Sequence, residues 1–90
     1  MTLVIYDISD DSVRLRIANL CKSFGLNRIQ RSAFLGDIPS SRRKELIKKL
    51  RRYLKGEGNI QVFVICKSDF SLREVIGDEK EFENENLIIV

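Results

Sequence analysis

Segments with β-strand character alternate with segments of helical periodicity, and this order constrains the fold more than any other feature of the chain. Residues 3–8 are β-branched and aromatic, which predicts a strand buried on both faces. Capping side chains at 9–12 predict that a helix begins there. The apolar stripe of this helix consists of Val13, Ile17, Leu20, Cys21 and Phe24. Gly25 stands where a helix end favours a positive φ.

The second half of the chain repeats this alternation. Residues 27–37 have a period of two, which predicts a strand, and the polar pair Arg31 and Ser32 predicts a kink or bulge that divides it into two short strands. Pro39 and the serines after it predict the start of a second helix. Its apolar stripe is Leu46, Ile47, Leu50, Tyr53 and Leu54. Residues 56–58 end it, residues 60–66 predict a strand, and residues 69–77 a short helical turn.

The predicted order is therefore β-α-β-β-α-β, which indicates an α+β sandwich with both helices on one face of a mostly antiparallel sheet. Residues 1–77 are expected to form this domain, and residues 78–86 an acidic, solvated linker. Residues 87–90 are all apolar, so we expect them to add a strand to a sheet edge of the same or a second subunit. Because a chain of 90 residues has a marginal core, association with a second copy would stabilise it.

The sequence gives no sign of a membrane or secretory protein. The apolar run near Met1 lacks a preceding basic region, and no apolar stretch approaches the roughly 20 residues of a membrane span, so we expect a cytoplasmic protein. Cys21 and Cys66 lie in apolar segments without nearby histidines, which predicts buried free thiols. A disulfide between them is the alternative if the source is a hyperthermophile.

Charge is distributed unevenly along the chain. Residues 14–67 contain fourteen Lys and Arg against three acidic residues, a net charge of +11, whereas residues 1–13 carry −3 and residues 68–90 carry −5. Such a basic block favours binding to a polyanion, and nucleic acid is the first hypothesis. An acidic protein, a membrane surface or a merely solvated helix face are the alternatives.

Missing residue types exclude several chemistries. The chain has no histidine, so imidazole acid–base catalysis and a Ser-His-Asp triad are excluded. It also has no Gly-rich phosphate loop and no zinc-type cluster of cysteines and histidines. Any hydrolysis would depend on carboxylates, a bound metal, Lys and Arg, or hydroxyl groups.

Asp7 is the strongest candidate for chemistry, because it ends an apolar strand in which an unpaired carboxylate is costly to bury. It could hold Mg²⁺ beside a phosphate, and two copies of Asp7 facing each other across a dimer axis would make a better site than one. The alternatives are a turn or capping role, or an ion pair with Arg14 or Arg16. Asp10 and Asp11 could also help to hold the metal, but capping of the helix is the simpler explanation for them.

Other residues could bind phosphates or bases. Arg14, Arg16, Arg28 and Arg31 could grip phosphates in a bidentate manner, although Arg14 and Arg16 are two positions apart on a helix and cannot face the same way. Tyr6 and Phe34 could stack on bases or fill a core or dimer interface. The basic face of the second helix could follow a duplex backbone without reading its bases. It consists of Arg42, Arg43, Lys44, Lys48, Lys49, Arg51, Arg52 and Lys55.

Three stretches together resemble the CRISPR-associated protein 2 family: residues 4–11 (VIYDISDD), residues 14–16 (RLR) and residues 25–36 (GLNRIQRSAFLG). That family is marked by a strand-terminal Tyr-Asp, an early helical Arg and a Gly-x-x-Arg-x-Gln-x-Ser-x-Phe segment. The resemblance implies a ferredoxin-like homodimer in which the C-terminal strand extends the neighbouring subunit's sheet. It also implies that Asp7 holds the metal. The positions tied to the site or its support are Tyr6, Arg14, Arg16, Arg28, Ser32 and Phe34.

Two functions follow from the resemblance. The first is a metal-dependent endonuclease that cleaves single-stranded RNA or duplex DNA, with Mg²⁺ or another divalent metal as cofactor. The second is a non-catalytic adaptor in spacer acquisition, in which the homodimer bridges copies of the CRISPR-associated integrase and holds duplex DNA. A ribonuclease of the virulence-associated protein D type shares the fold class and is a third hypothesis.

Overall fold

The computed structural model describes residues 1–78, which form one four-stranded sheet and three helices. The elements in chain order are β1 (Thr2–Asp7), α1 (Asp11–Ser23), β2 (Asn27–Gln30), β3 (Ala33–Gly36), α2 (Ser40–Tyr53), β4 (Asn59–Val64) and α3 (Lys67–Ser71). The predicted order β-α-β-β-α-β is confirmed, and a short helix follows it. This helix, α3, begins before the predicted range 69–77 and ends at Ser71, so the apolar residues on which the prediction rested, Leu72, Val75 and Ile76, lie outside it and are exposed.

The strands lie in the order β2-β3-β1-β4, and each neighbouring pair is antiparallel. β1 is central, with Val4 opposite Phe34 of β3 on one side and Val62 of β4 on the other. Each helix connects strands that are not neighbours, so α1 and α2 can both lie on one face of the sheet and contact each other. This arrangement confirms the predicted α+β, ferredoxin-like fold.

Side chains of β1 alternate between two faces of the sheet, which we call the inner face and the outer face. Val4 and Tyr6 point to the inner face and join the buried core, whereas Leu3 and Ile5 on the outer face are only partly buried. The prediction of a strand buried on both faces was therefore wrong for the described chain. The reason is that α1 and α2 pack on the inner face and leave the other open.

The core lies between the inner face and the two amphipathic helices. The predicted stripe of α1 is buried apart from Val13, which is partly buried, and Leu46 and Leu50 of α2 are buried against it. Phe34 is fully buried at the centre of the sheet. Tyr53 and Leu54 of the predicted α2 stripe are partly buried against this core, whereas Ile47 lies outside it. Apart from Ile47, the periodic apolar positions are the positions that pack, as the sequence predicts.

The predicted division of residues 27–37 is confirmed. Arg31 and Ser32 form the turn between β2 and β3, and the register of the two strands shifts between Arg28 and Gln30. The Ser32 carbonyl accepts a hydrogen bond from the Tyr6 backbone N–H at 3.0 Å, so the turn is also joined to β1.

Cys66 is a correction to the sequence prediction. Cys21 is buried as expected, but Cys66 is exposed because it follows the end of β4 and precedes α3. Its Sγ lies 2.8 Å from the Asp69 carboxylate, and neither thiol of the described chain is in a disulfide. In residues 1–78, no helix is long and apolar enough to cross a membrane. The predicted C-terminal strand at 87–90 and nearly all of the acidic linker lie outside the described residues.

Candidate functional site

Asp7 is the last residue of β1, and its side chain is exposed on the outer face. Across the sheet it is paired with Asn59, the first residue of β4. No ion pair joins Asp7 to Arg14 or Arg16 within residues 1–78, so the alternative of a structural salt bridge is not found there. Within the same residues, no three His, Cys, Asp or Glu side chains are grouped closely enough to hold a metal ion.

Gly58 holds the chain close to Asp7. A Cβ atom at position 58 would lie 2.7 Å from the Asp7 carbonyl oxygen and 3.2 Å from the Ile8 side chain, and the φ of Gly58 is +125°. Because of both the close contact and the backbone conformation, any residue other than glycine at position 58 would be strained. The loop before β4 therefore packs directly on the end of the strand that carries the carboxylate.

Tyr6, Arg28 and Phe34 form a cluster on the inner face, behind Asp7. The rings of Tyr6 and Phe34 stack with centroids 6.3 Å apart, and the Arg28 guanidinium carbon lies 5.0 Å from the Phe34 ring centroid. Phe34 is 0% exposed and Tyr6 is 6% exposed. Neither ring can therefore stack on a nucleic-acid base in this conformation, and their role is to support the sheet.

The polar atoms of this cluster are incompletely satisfied. Among residues 1–78, the Tyr6 hydroxyl and the Arg28 Nε are buried without a hydrogen-bond partner of normal geometry. Burial raises the pKa of Tyr6, and the nearby Arg28 guanidinium opposes that rise. Burial also raises the pKa of the Cys21 thiol to about 12, which makes it an inert core residue.

The arginines of α1 contact the segment that leads into the helix and the neighbouring helix α2. Arg14 Nη1 donates a hydrogen bond to the Ile8 carbonyl at 3.1 Å, and its Nη2 forms an ion pair with Asp11. The Arg16 guanidinium lies 5.6 Å from the Tyr53 ring centroid on α2. The two side chains point in different directions, as their spacing predicts. Arg14 fixes the residue that follows Asp7, whereas Arg16 joins the two helices.

Asp10 caps α1. Its carboxylate accepts hydrogen bonds from the backbone N–H groups of Ser12 at 2.9 Å and Val13 at 3.0 Å. These bonds, together with the Ser12 hydroxyl, lower the pKa of Asp10. The capping role expected from the sequence is confirmed, and Asp10 is engaged away from the exposed carboxylate of Asp7.

A row of exposed cations follows the solvent side of α2. Lys44, Lys48 and Arg51 are spaced at four and three residues, so they lie along one side of the helix, opposite the buried Leu46 and Leu50, and the exposed Lys55 follows just after the helix ends at Tyr53. We call these four residues the α2 basic row. At the edge of α2, Arg42 and Lys49 lie over the Phe24 ring at 4.2 Å and 5.5 Å.

The structure thus separates the candidate residues into four places. Asp7 is on the outer face, Tyr6, Arg28 and Phe34 are on the inner face, and Arg14 and Arg16 are on α1. Ser32 is partly buried in the turn before β3. Sequence reasoning missed Gly58 and Asn59, because their proximity to Asp7 depends on the pairing of β1 with β4.

Comparison with known proteins gives consistent results. The family described as CRISPR associated protein Cas2 matches residues 1–73. The CRISPR-associated endoribonuclease Cas2 of Korarchaeum cryptofilum is 46% identical over 79 residues, which cover 87% of this chain and 85% of that protein. A CRISPR-associated endonuclease Cas1/endonuclease Cas2 fusion of Thermoproteus tenax is 40% identical over 74 residues, 79% of this chain and 28% of the fusion.

A solved structure agrees with these relatives. The crystal structure of a hypothetical protein from Thermus thermophilus is similar with a TM-score of 0.74 and 31% identity, covering 89% of this chain and 93% of that one. The family match spans β1 to α3 and includes every candidate site residue. The chain therefore belongs to the CRISPR associated protein Cas2 family.

Proposed function

We propose that this protein is a metal-dependent endonuclease that cleaves phosphodiester bonds and acts in the spacer-acquisition stage of CRISPR immunity. The relatives named as endoribonucleases support the reaction class. The observation that carries the proposal is the position of Asp7. Its carboxylate is exposed at the end of the central strand and forms no hydrogen bond or ion pair within residues 1–78.

The metal would be held by Asp7. A carboxylate is the kind of oxygen ligand that Mg²⁺ prefers, but one carboxylate makes a weak site. Asp7 is exposed on the open face of the sheet, so a second subunit packed on that face could bring its own Asp7 to the same ion. The residues therefore fit a divalent ion shared by a homodimer.

The side chains of this protein would have distinct parts in the reaction. The Asp7 carboxylate holds the ion, and Gly58 keeps the Asp7 backbone in place. Arg31, exposed in the turn between β2 and β3, is available to bind phosphate. Tyr6 and Phe34 support β1 from the inner face. When bound, the metal would neutralise charge on the phosphate and lower the pKa of its water.

The test is cleavage of labelled single-stranded RNA and duplex DNA by purified protein. Asp7→Asn keeps the size of the side chain and removes its charge, so we expect cleavage to fall by at least about a hundredfold, the size of effect typical for loss of a group that stabilises developing charge. Glu74→Gln is the matched control, because it removes an exposed carboxylate outside the sheet. Unchanged cleavage by Asp7→Asn would refute the proposed site.

The second candidate function is a structural adaptor that binds duplex DNA beside the CRISPR-associated integrase. The α2 basic row favours it, because three exposed cations on one side of the helix and a fourth just beyond its end suit a phosphate backbone. The Thermoproteus fusion places a Cas1 and a Cas2 in one chain, which supports an integrase partner. Spacer acquisition with Asp7→Asn separates the functions: an adaptor retains acquisition although cleavage is lost.

A further inference from the structure

Asn59 lies beside Asp7 although the two residues are far apart in the sequence. Asp7 and Asn59 are directly paired in the antiparallel ladder of β1 and β4. Their side chains therefore point to the same face of the sheet, which is the outer face, and both are exposed there. Asn59 is the nearest cross-strand neighbour of the proposed metal ligand.

The hydrogen-bond pattern fixes how close the two backbones are. Met1 and Ile65, at the other end of the same ladder, exchange two backbone hydrogen bonds, with N–O distances of 2.6 Å and 2.9 Å. Such pairs recur at every second residue of an antiparallel ladder, so Asp7 and Asn59 form one as well, with Cα atoms about 5.5 Å apart. The close contact of Gly58 with the Asp7 carbonyl agrees with this spacing.

Both side chains are available to a ligand. Within residues 1–78, neither the Asp7 carboxylate nor the side-chain amide of Asn59 forms a hydrogen bond or ion pair. A carboxylate oxygen and an amide oxygen are both hard ligands suited to Mg²⁺ and Mn²⁺. The two side chains are short and of similar length, so their oxygens can converge on one ion from neighbouring strands.

We propose that Asn59 supplies the second protein oxygen to the divalent ion held by Asp7. This inference rests on the proposed metal-dependent function. It adds a ligand at position 59, which lies outside the three stretches that resemble the family motifs. In a homodimer the pair would occur twice, which gives four protein oxygens around the shared ion and leaves two positions of an octahedral site for water or phosphate.

The experiment is titration of the full chain with Mn²⁺, followed by calorimetry and by the electron paramagnetic resonance signal of the free ion. We expect Asn59→Ala to weaken Mn²⁺ binding by about tenfold or more, since loss of even an outer-shell group typically costs that much. Asn59→Asp should bind Mn²⁺ more tightly than the wild type because it adds a negative charge. Gln61→Ala is the matched control: it removes an amide from the outer face, two residues along β4 and opposite Ile5.

The outcomes separate this inference from the function on which it rests. If Asp7→Asn abolishes Mn²⁺ binding while Asn59→Ala and Asn59→Asp bind like the wild type, Asn59 is not a ligand and the Asp7 site stands. If Asp7→Asn binds Mn²⁺ as tightly as the wild type, both proposals are wrong. Equal weakening by Asn59→Ala and Gln61→Ala would also overturn the inference, because the effect would not be specific to the position beside Asp7.

Discussion

At the scale of single residues, the segment from Tyr6 to Asp10 shows how neighbouring side chains take separate roles. Tyr6 is buried on the inner face, Asp7 is exposed on the outer face, and Asp10 caps α1. Successive side chains of a strand point to opposite faces, which separates Tyr6 from Asp7. Asp10 lies beyond the end of the strand, so its side chain can bond the helix N-terminus. Two acids three positions apart in the sequence therefore differ in chemistry: Asp10 is engaged by N–H groups, and Asp7, which has no side-chain partner within residues 1–78, is available to a ligand.

Asp10 makes stability depend on pH in the acidic range. Hydrogen bonds from the Ser12 hydroxyl and from the N–H groups of the helix N-terminus lower the pKa of Asp10 in the folded state, so the unfolded state binds a proton more readily. The stabilisation is therefore present above the unfolded pKa of about 3.9 and lost as the pH falls through the folded value. Asp10→Ala should lower the melting temperature by a few degrees at neutral pH and by less at acidic pH. Thermal melts of both proteins across this range measure the effect, and parallel curves would contradict it.

Tyr6 allows a second prediction at this scale. Within residues 1–78 its hydroxyl is buried without a hydrogen-bond partner of normal geometry, so Tyr6→Phe should change the free energy of unfolding by less than about 1 kcal/mol, or increase it. Phe34→Ala in the same cluster should cost about 3–5 kcal/mol, because it opens a cavity in the core. Urea unfolding measures both variants. A large loss in Tyr6→Phe would mean that the hydroxyl does have a partner.

At the scale of elements, α2 combines a buried stripe with the α2 basic row. Leu46 and Leu50 attach the helix to the core, and Lys44, Lys48 and Arg51 of the row lie on the opposite side. This separation lets the helix bind a polyanion without losing its packing. A helix with these charges on its packed side would have to bury unpaired cations.

The α2 basic row predicts the salt dependence of duplex DNA binding. Lys48→Gln or Lys55→Gln should each weaken binding to any sequence and reduce the slope of log K against log salt by about 1. Fluorescence anisotropy with two unrelated duplexes at several salt concentrations gives the slope. Lys67→Gln, which removes a cation outside α2, should change the slope less. An unaltered slope in the α2 variants would exclude this surface as the contact.

At the scale of the whole molecule, α1 and α2 cover one face of the sheet, and the other face is open within residues 1–78. The outer face carries Leu3, Ile5 and Phe63 beside Asp7, and Phe63 remains 40% exposed. An apolar face of this kind suits a second copy of the chain, which would also bring a second Asp7 to the site. The proposed chemistry and the proposed homodimer therefore depend on the same surface.

Phe63→Glu tests that dependence. A charge at the centre of an apolar interface should weaken dimerisation by roughly 30-fold or more, the effect of losing a strong interface residue. Sedimentation equilibrium of the wild type and the variant measures the change, and Mn²⁺ binding should weaken with it. Leu15→Glu is the control, because Leu15 is an exposed apolar residue on α1. A dimer unaffected by Phe63→Glu would place the interface elsewhere.

Much of the architecture was predictable from local patterns. The helical stripes of α1 and α2, the Asp10 cap, the turn at Arg31 and Ser32, and the positive φ of Gly25 follow from periodicity and from the chemistry of single residues. Asp7 stood out as a candidate for the same reason, since a carboxylate at the end of an apolar strand needs an explanation. The exposure of Cys66 was not predictable, because an apolar segment does not reveal where its strand ends.

The sequence by itself determined which elements form and which faces of them are apolar, because these depend on residues a few positions apart. The tertiary structure decided which face of β1 stays open, that Asp7 and Asn59 are neighbours, and that Gly58 packs on the Asp7 carbonyl. These contacts join residues far apart in the chain through the register of β1 with β4. Register depends on the packing of the whole sheet against its helices, so no local pattern contains it.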